Sequence, residues 1–241
     1  MLTSGRHLML IWHVLTAVPL HTFMILEPSK GVLSQIELFM SRFFWGEVDG
    51  CAKQHWRNWS ALYFLPEQDG LGINELEDTV RAFGCKLWWK LRTGDTLWSW
   101  CMLSKYVIME EHVTTVPARP SSSWVWKRLL KARDFMEDNM QTLIRDGSSY
   151  FWFDNWLGTG TWQMTRTESH CPKLELQTYL WGGQWHLNPI QELLTLDERQ
   201  KILNSQILMS SGKDLQIWMP SAVGGFVLLS TFMKLSPTAT L

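Results

Sequence analysis

The sequence predicts a mainly α protein with a β component (α+β): a helical bundle, then a connector containing a β-hairpin, then a small mixed segment at the C-terminal end. Three observations predict it. Apolar residues recur at three- and four-residue steps through the first part of the chain, as at Leu76, Val80, Phe83, Leu87 and Leu91, which is the pattern of one buried helix face. The stretch EEHVTTVPARPSSS, with two prolines and a serine run, reads as a linker. After it come short runs broken by turn residues, such as TLIRDGSSYFWFD. The expected organisation is a helical region over 1–109, a linker over 110–123, a connector over 124–210 and the mixed segment over 211–241.

In order along the chain, Leu8 to Leu26 holds nineteen positions without Lys, Arg, Asp or Glu. That length could cross a bilayer. His13, His21 and Pro19 interrupt it, and His13 breaks the continuous apolar run a signal peptide needs, so a Pro-bent helix buried in the core is preferred to a membrane segment. SKGVLSQIELFMSRFFWG then places Val32, Ile36, Phe39 and Phe43 on one face, with Ser29 as cap and Gly46 as terminator. Pro66, Gly70 and Gly72 mark a turn. NELEDTVRAFGCKLWWKLRTG is the clearest helix, capped by Asn74 and ended by Gly94, with Arg81, Lys86, Lys90 and Arg92 off its apolar stripe. A second helix begins at Asp95, and a third, WVWKRLLKARDFMEDNM, is capped by Ser123.

A β-hairpin is expected from Leu143 to Asp154, with Asp146-Gly147 as its tight turn. Two short helices follow, one near Pro189 and one capped by Asp197. DLQIWMPSAVGGFVLLSTFMKL reads as strand, glycine turn, strand and a short helix.

Hydrophobic residues make up 46% and charged ones 19%, the net charge is −1, and there are sixteen tryptophans. Such rings fill cores or stack on nucleic-acid bases. The charge is uneven: from Arg81 to Arg133 ten basic residues face three acidic ones, a local +7. That fits phosphate contact, and it fits solvated helix faces somewhat better. Cys51, Cys85, Cys101 and Cys171 show no zinc-type spacing. No phosphate-binding glycine loop, His-Glu-x-x-His or Gly-x-Ser-x-Gly occurs. The acid pairs Glu77–Asp78, Glu110–Glu111, Glu137–Asp138 and Asp197–Glu198 lie on expected helices or in the linker, where solvated charge is the default. Asp154 sits among Tyr150, Phe151, Trp152, Phe153 and Trp156, either as an acid tuned by burial or as the cap of a turn. No metal, cofactor or small-molecule substrate is expected.

Several blocks, in order, resemble the region that follows the polymerase core in plant LINE-type (non-LTR) retrotransposon reverse transcriptases. They are VLTAVPLHTFMILEPSKGVLSQIELFMSRFFWGE, HWRNWSALYFLPEQDGLGINELEDTVRAFGCKLWWKL, LWSWCMLSKY, SSSWVWKRLLKARDF with IRDGSSYFWFDNWLG, and DLQIWMPSAVGGFVLLSTF. The signature positions are Trp45, Gly46, Trp59, Gly70, Leu71, Gly72, Trp89, Tyr106, Gly147, Trp152, Asp154 and Trp156. The chain departs from the family pattern at Asp69, at Val80 where an Asn is usual, and at Lys90 where an Arg is usual.

The resemblance implies a polymerase thumb followed by a connector and the start of a zinc-binding module. The catalytic palm, the zinc-binding Cys/His cluster and a ribonuclease H domain would lie outside this sequence. It implies no enzymatic activity here and weak, sequence-independent contact with RNA or DNA backbone; the scattered thiols, for their part, lead to the expectation of a reducing, intracellular compartment. Lys86, Lys90, Arg92, Lys127, Arg128 and Lys131 are the candidates for that contact, on faces away from the apolar stripe. An interaction or scaffold role for the aromatic surface is the alternative, and self-association through exposed apolar helix surface is expected.

Overall fold

The computed structural model describes residues 4–48, 51–52, 57–64, 70–73, 75–94, 96–108, 111–162, 171–205 and 210–235. The expected cap Asn74, the expected helix start Asp95, the turn residue Pro66, the start of the linker at residue 110 and Asp69 lie outside them. The protein is mainly α with a minor β component. Its helices are α1 (Ser4–Leu10), α2 (Leu20–Ile25), α3 (Lys30–Trp45), α4 (Leu76–Thr93), α5 (Leu97–Tyr106), α6 (Trp124–Asp138), α7 (Leu196–Asn204) and α8 (Leu228–Leu235). Among the described residues the strands form three antiparallel pairs: β1 (Glu47–Val48) with β2 (Cys51–Ala52), β3 (Met140–Leu143) with β6 (Leu215–Trp218), and β4 (Leu180–Trp181) with β5 (Gln184–Trp185). Two compact units divide the chain: Met1–Lys86, Ser123–Leu129 and Leu228–Leu241 form the first, and Leu87–Ser122 and Leu130–Val227 the second.

In the first unit, Ser29 caps α3 by accepting the Val32 N–H at 3.4 Å, and Gly46 ends it at φ 75°, a conformation that suits residues without a Cβ. The buried stripe of α3 is Leu33, Ile36, Met40 and Phe43, rotated from the expected one. Ile36 and Phe43 are shared, whereas Val32 and Phe39 face solvent, Phe39 at 68% exposure. Leu33 and Met40 pack with Phe23 of α2 and with Leu76, Val80 and Phe83 of α4.

The segment Gly5–Ile25 is helical and apolar enough to cross a membrane by length and composition, but its expected burial does not occur: 11% of its apolar 18-residue window is buried. Ile11 and Phe23 point inward, while Val18 and Ile25 are about as exposed as Phe39. Its helix loosens to a five-residue π turn at Ile11–Leu15 and gives way to a turn over residues 16–19, where Pro19 lacks an N–H to continue the ladder. Gly70 and Gly72 explain themselves by backbone approach. A Cβ on Gly70 would lie 1.8 Å from the Phe64 carbonyl oxygen, and Gly72, at φ 63°, donates its N–H to that oxygen at 2.8 Å.

In the second unit, α5 starts at Leu97 and is capped by Thr96, which accepts the Ser99 N–H at 3.2 Å. In the part of α6 that belongs to the first unit, Ser123 caps the helix as expected, through the Trp126 N–H at 3.3 Å. Glu111 to Ser122, within the stretch read as a linker, is irregular but packed: His112, Val113 and Val116 are buried, and Arg119 grips both carboxylate oxygens of Glu111 at 3.0 and 3.1 Å. α7 is capped by Thr195 in a reciprocal box with Glu198, not by Asp197. After β6 the chain makes a turn through Gly224 and enters α8, so the second expected strand is absent.

The hairpin expected at Leu143–Asp154 does not form; the connector's hairpin is β4–β5, turned by Gly182 and Gly183. β3 pairs instead with β6, in the register Leu143↔Leu215. That register sets Asp214 against the turn after β3, where its carboxylate accepts the backbone N–H groups of Arg145 (2.5 Å), Asp146 (3.1 Å), Gly147 (3.0 Å) and Ser149 (2.8 Å). Converging N–H groups of this kind form an anion nest, filled here by the protein's own carboxylate. The turn is thereby wrapped around Asp214 instead of closing a two-residue hairpin. Past it, Phe151 and Leu176 take backbone bonds across to Leu174 and Ser149. Phe151 then centres an aromatic core, with the rings of Trp152, Trp156, Trp162 and Tyr179 at centroid distances of 4.7, 5.5, 5.7 and 5.9 Å.

Candidate functional site

The densest cluster of titratable groups lies inside the second unit. Arg92, near the end of α4, has a side chain 8% exposed. Its Nε donates to Glu137 Oε1 at 2.9 Å and its Nη2 to Asp154 Oδ1 at 2.5 Å. Glu137, on α6, also accepts the Trp88 indole N–H at 2.8 Å. Asp154 closes its own turn by accepting the Tyr150 N–H at 2.7 Å. His112 stacks on Phe153 at 4.6 Å and shares a 2.7 Å hydrogen bond with Thr114.

The electrostatics separate these groups. Burial alone would raise the Asp154 carboxyl, but the Arg92 guanidinium and the Tyr150 N–H outweigh it and hold it below the usual carboxylate range. Burial wins at Glu137, which is pushed up despite Arg92 and the Trp88 N–H. Arg92 resists the cost of burial because Glu137 and Asp154 both favour its charge, and its pKa is raised. His112 is driven down to about 3 by burial and by Arg92. One cation thus bridges an ionised Asp154 and the more readily protonated Glu137, beside a neutral imidazole. Glu137, Asp154 and His112 are each buried, and the cluster ties the end of α4 and the end of α6 to the turn closed by Asp154.

The nucleic-acid candidates divide. Lys86 and Lys90 are exposed on α4, as is Lys131 on α6. Lys127 is half-buried, with its ammonium 5.7 Å from the Trp124 ring centroid. Arg92 and Arg128 were expected on solvent-facing surfaces and are not: Arg92 lies in the ionic cluster, and Arg128, 4% exposed, donates Nη2 to the Val80 carbonyl at 2.8 Å. Both are drawn inward because α4 and α6 bury more than one stripe.

The signature residues are buried or half-buried. Trp152, Asp154 and Trp156 are buried, Trp156 donating to the Phe151 carbonyl at 3.0 Å. Gly147 sits at φ 79°, and a Cβ there would come within 2.8 Å of the Gln177 nitrogen. Trp89 stacks on Phe226 at 5.7 Å, and Tyr106 is buried. Trp45, Trp59 and Leu71 line the cluster around Ile11, Leu62 and Ile73.

Sequence reasoning missed Glu137, His112 and Asp214. Glu137 was paired with Asp138 as solvated charge, yet it lies eleven residues after the buried Trp126, about three helical turns along the same face. His112 and Asp214 carry no such local signal. Among the described residues no group of three His, Cys, Asp or Glu side chains could hold a metal ion, and Cys85, Cys101 and Cys171 are free thiols.

The fold and the site define a mainly α protein whose irregular second unit is pinned by a buried arginine between two carboxylates. The chain is 25% identical over 97% of its length to the ribonuclease H protein At1g65750 of Arabidopsis thaliana, a provisional name, and covers 39% of that relative. It is 26% identical over 58% of its length to the uncharacterised mitochondrial protein AtMg00310 of the same plant, covering 93% of it. No family profile and no solved structure matches the chain.

Proposed function

We propose that the chain is a retrotransposon-related fragment of a reverse-transcriptase-like polyprotein, equivalent to its thumb and connector. It is non-catalytic and has weak, sequence-independent affinity for nucleic-acid backbone. Its retroelement origin is supported by similarity along nearly the whole chain to one segment of a longer relative whose provisional name is ribonuclease H protein. The observation that carries the non-catalytic reading is the use made of Asp154: the acid of the signature stretch is held by Arg92 and by its own turn. Lys86, Lys90, Lys127 and Lys131 supply the cations for phosphate contact.

The purified chain on a primed template is expected to incorporate no nucleotide above a buffer control; measured polymerisation overturns the non-catalytic reading. In a gel shift, affinity is expected to fall as salt rises. Affinity indifferent to salt favours a second reading, a protein-interaction or scaffold role, for which the exposed Val18, Ile25 and Phe39 are the motivating surface. Concentration-dependent sedimentation without nucleic acid would support that second reading.

A further inference from the structure

Trp124 opens α6 with 79% of its surface in solvent, although no residue has more apolar area to gain by burial. Trp126, two positions on, is fully buried. Residues two apart on a helix point about 200° from each other, so packing Trp126 turns Trp124 outward. Lys127 and Lys131 stand three and seven positions beyond Trp124, on its face of the helix. The Lys127 ammonium lies 5.7 Å from the Trp124 ring centroid. No acid occurs in α6 before Asp134.

We propose that this face of α6 is a stacking platform for single-stranded nucleic acid: the indole takes one unpaired base, and Lys127 and Lys131 take the adjoining phosphates. A duplex buries its base faces in its own stack, whereas a single strand offers them to an aromatic side chain. The basic run of α6 gives the electrostatic match to phosphate that an acidic or neutral protein surface would not use. The inference rests on the nucleic-acid reading above and adds a strand preference to it.

The test is fluorescence anisotropy of the full chain with a short labelled oligonucleotide, single-stranded or annealed to its complement, over a salt series. The wild type is expected to prefer the single strand. Trp124→Ala should weaken single-strand binding about tenfold and leave duplex binding unchanged, while Trp124→Phe retains most of the preference. Thermal unfolding should be unaltered in both variants, since the side chain is exposed. Lys131→Gln should weaken both forms and flatten the single-strand salt dependence by about 0.7 in log–log slope. Wild-type binding that favours the duplex, or single-strand binding unaffected by Trp124→Ala, overturns the platform; if that binding still falls with salt, the underlying reading stands. Absence of salt-dependent binding to either form overturns both.

Discussion

Arg92 and Arg128 belong to the same basic run of sequence, and both end up buried, one in each unit. Arg92 meets two carboxylates from distant parts of the chain and keeps its charge comfortably. Arg128 meets one carbonyl oxygen; among the described residues its Nε and Nη1 have no hydrogen-bond partner, and burial lowers its pKa against the opposing charge of Glu27. The difference tracks how each unit is built. The first is assembled from helices whose apolar stripes do the packing, so its buried arginine is incidental. The second contains a long irregular stretch, and irregular backbone needs polar groups placed inside to satisfy and fix it.

The sharpest way to break this comparison is Arg92→Leu. It leaves Glu137 and Asp154 close together without their cation, and breaking a buried pair costs about 3–5 kcal/mol. Urea unfolding should show that loss, and adding Glu137→Gln should recover part of it by removing one of the two stranded charges. A loss under ~1 kcal/mol would mean that the cluster is not what pins the second unit. Asp214→Ala comes next. It strips the acceptor from four backbone N–H groups, at a net cost of about 2–3 kcal/mol because water reaches part of this half-buried turn. Wild-type stability in that variant would show that the turn after β3 holds its own shape.

The legible part of the molecule follows from the same contrast. Helices α3 and α4 declared themselves through periodicity, and Ser29, Gly46 and Ser123 act as their sequence suggested, because caps and stripes are decided within a few neighbouring residues. The stretch around Asp146-Gly147 was misread because its partner is Asp214, far along the chain, and no local rule encodes a carboxylate arriving from there. Glu137 was misread for a related reason: adjacency to Asp138 suggested a charged surface, while its position three turns past Trp126 placed it inside. The N-terminal helices were legible as helices, but their burial was inferred from composition, and composition cannot distinguish a covered apolar face from an open one.

His112 offers a smaller and pH-dependent test. Its folded-state pKa lies near 3, against 6.5 for an ordinary imidazole, so below about pH 6.5 the unfolded chain takes up a proton that the folded chain refuses. Its contribution is therefore fully present above that pH and is lost as pH falls toward the folded value, with a slope of up to ~1.4 kcal/mol per pH unit. The charged groups acting on it are Arg92, Asp154 and Lys173. His112→Phe keeps the stack on Phe153 and removes the titrating group, so the stability of that variant between pH 7 and 5 should fall less steeply. An unchanged slope would assign the acid sensitivity to the carboxylates.

Arg128→Met should have the smallest effect, and its direction separates the two arginines. Nothing buried is stranded when the guanidinium leaves: the Val80 carbonyl loses one hydrogen bond, and the desolvated cation that burial penalises disappears with it. A methionine of similar length fills the space against α4, and replacing a poorly compensated buried charge with apolar volume is neutral or stabilising. The expected change in unfolding free energy lies within ~1 kcal/mol of zero, read as a small shift in Tm against the large fall for Arg92→Leu. A loss above ~2 kcal/mol would mean that Glu27 closes onto Arg128 in solution, and the first unit would then share the second unit's dependence on internal charge.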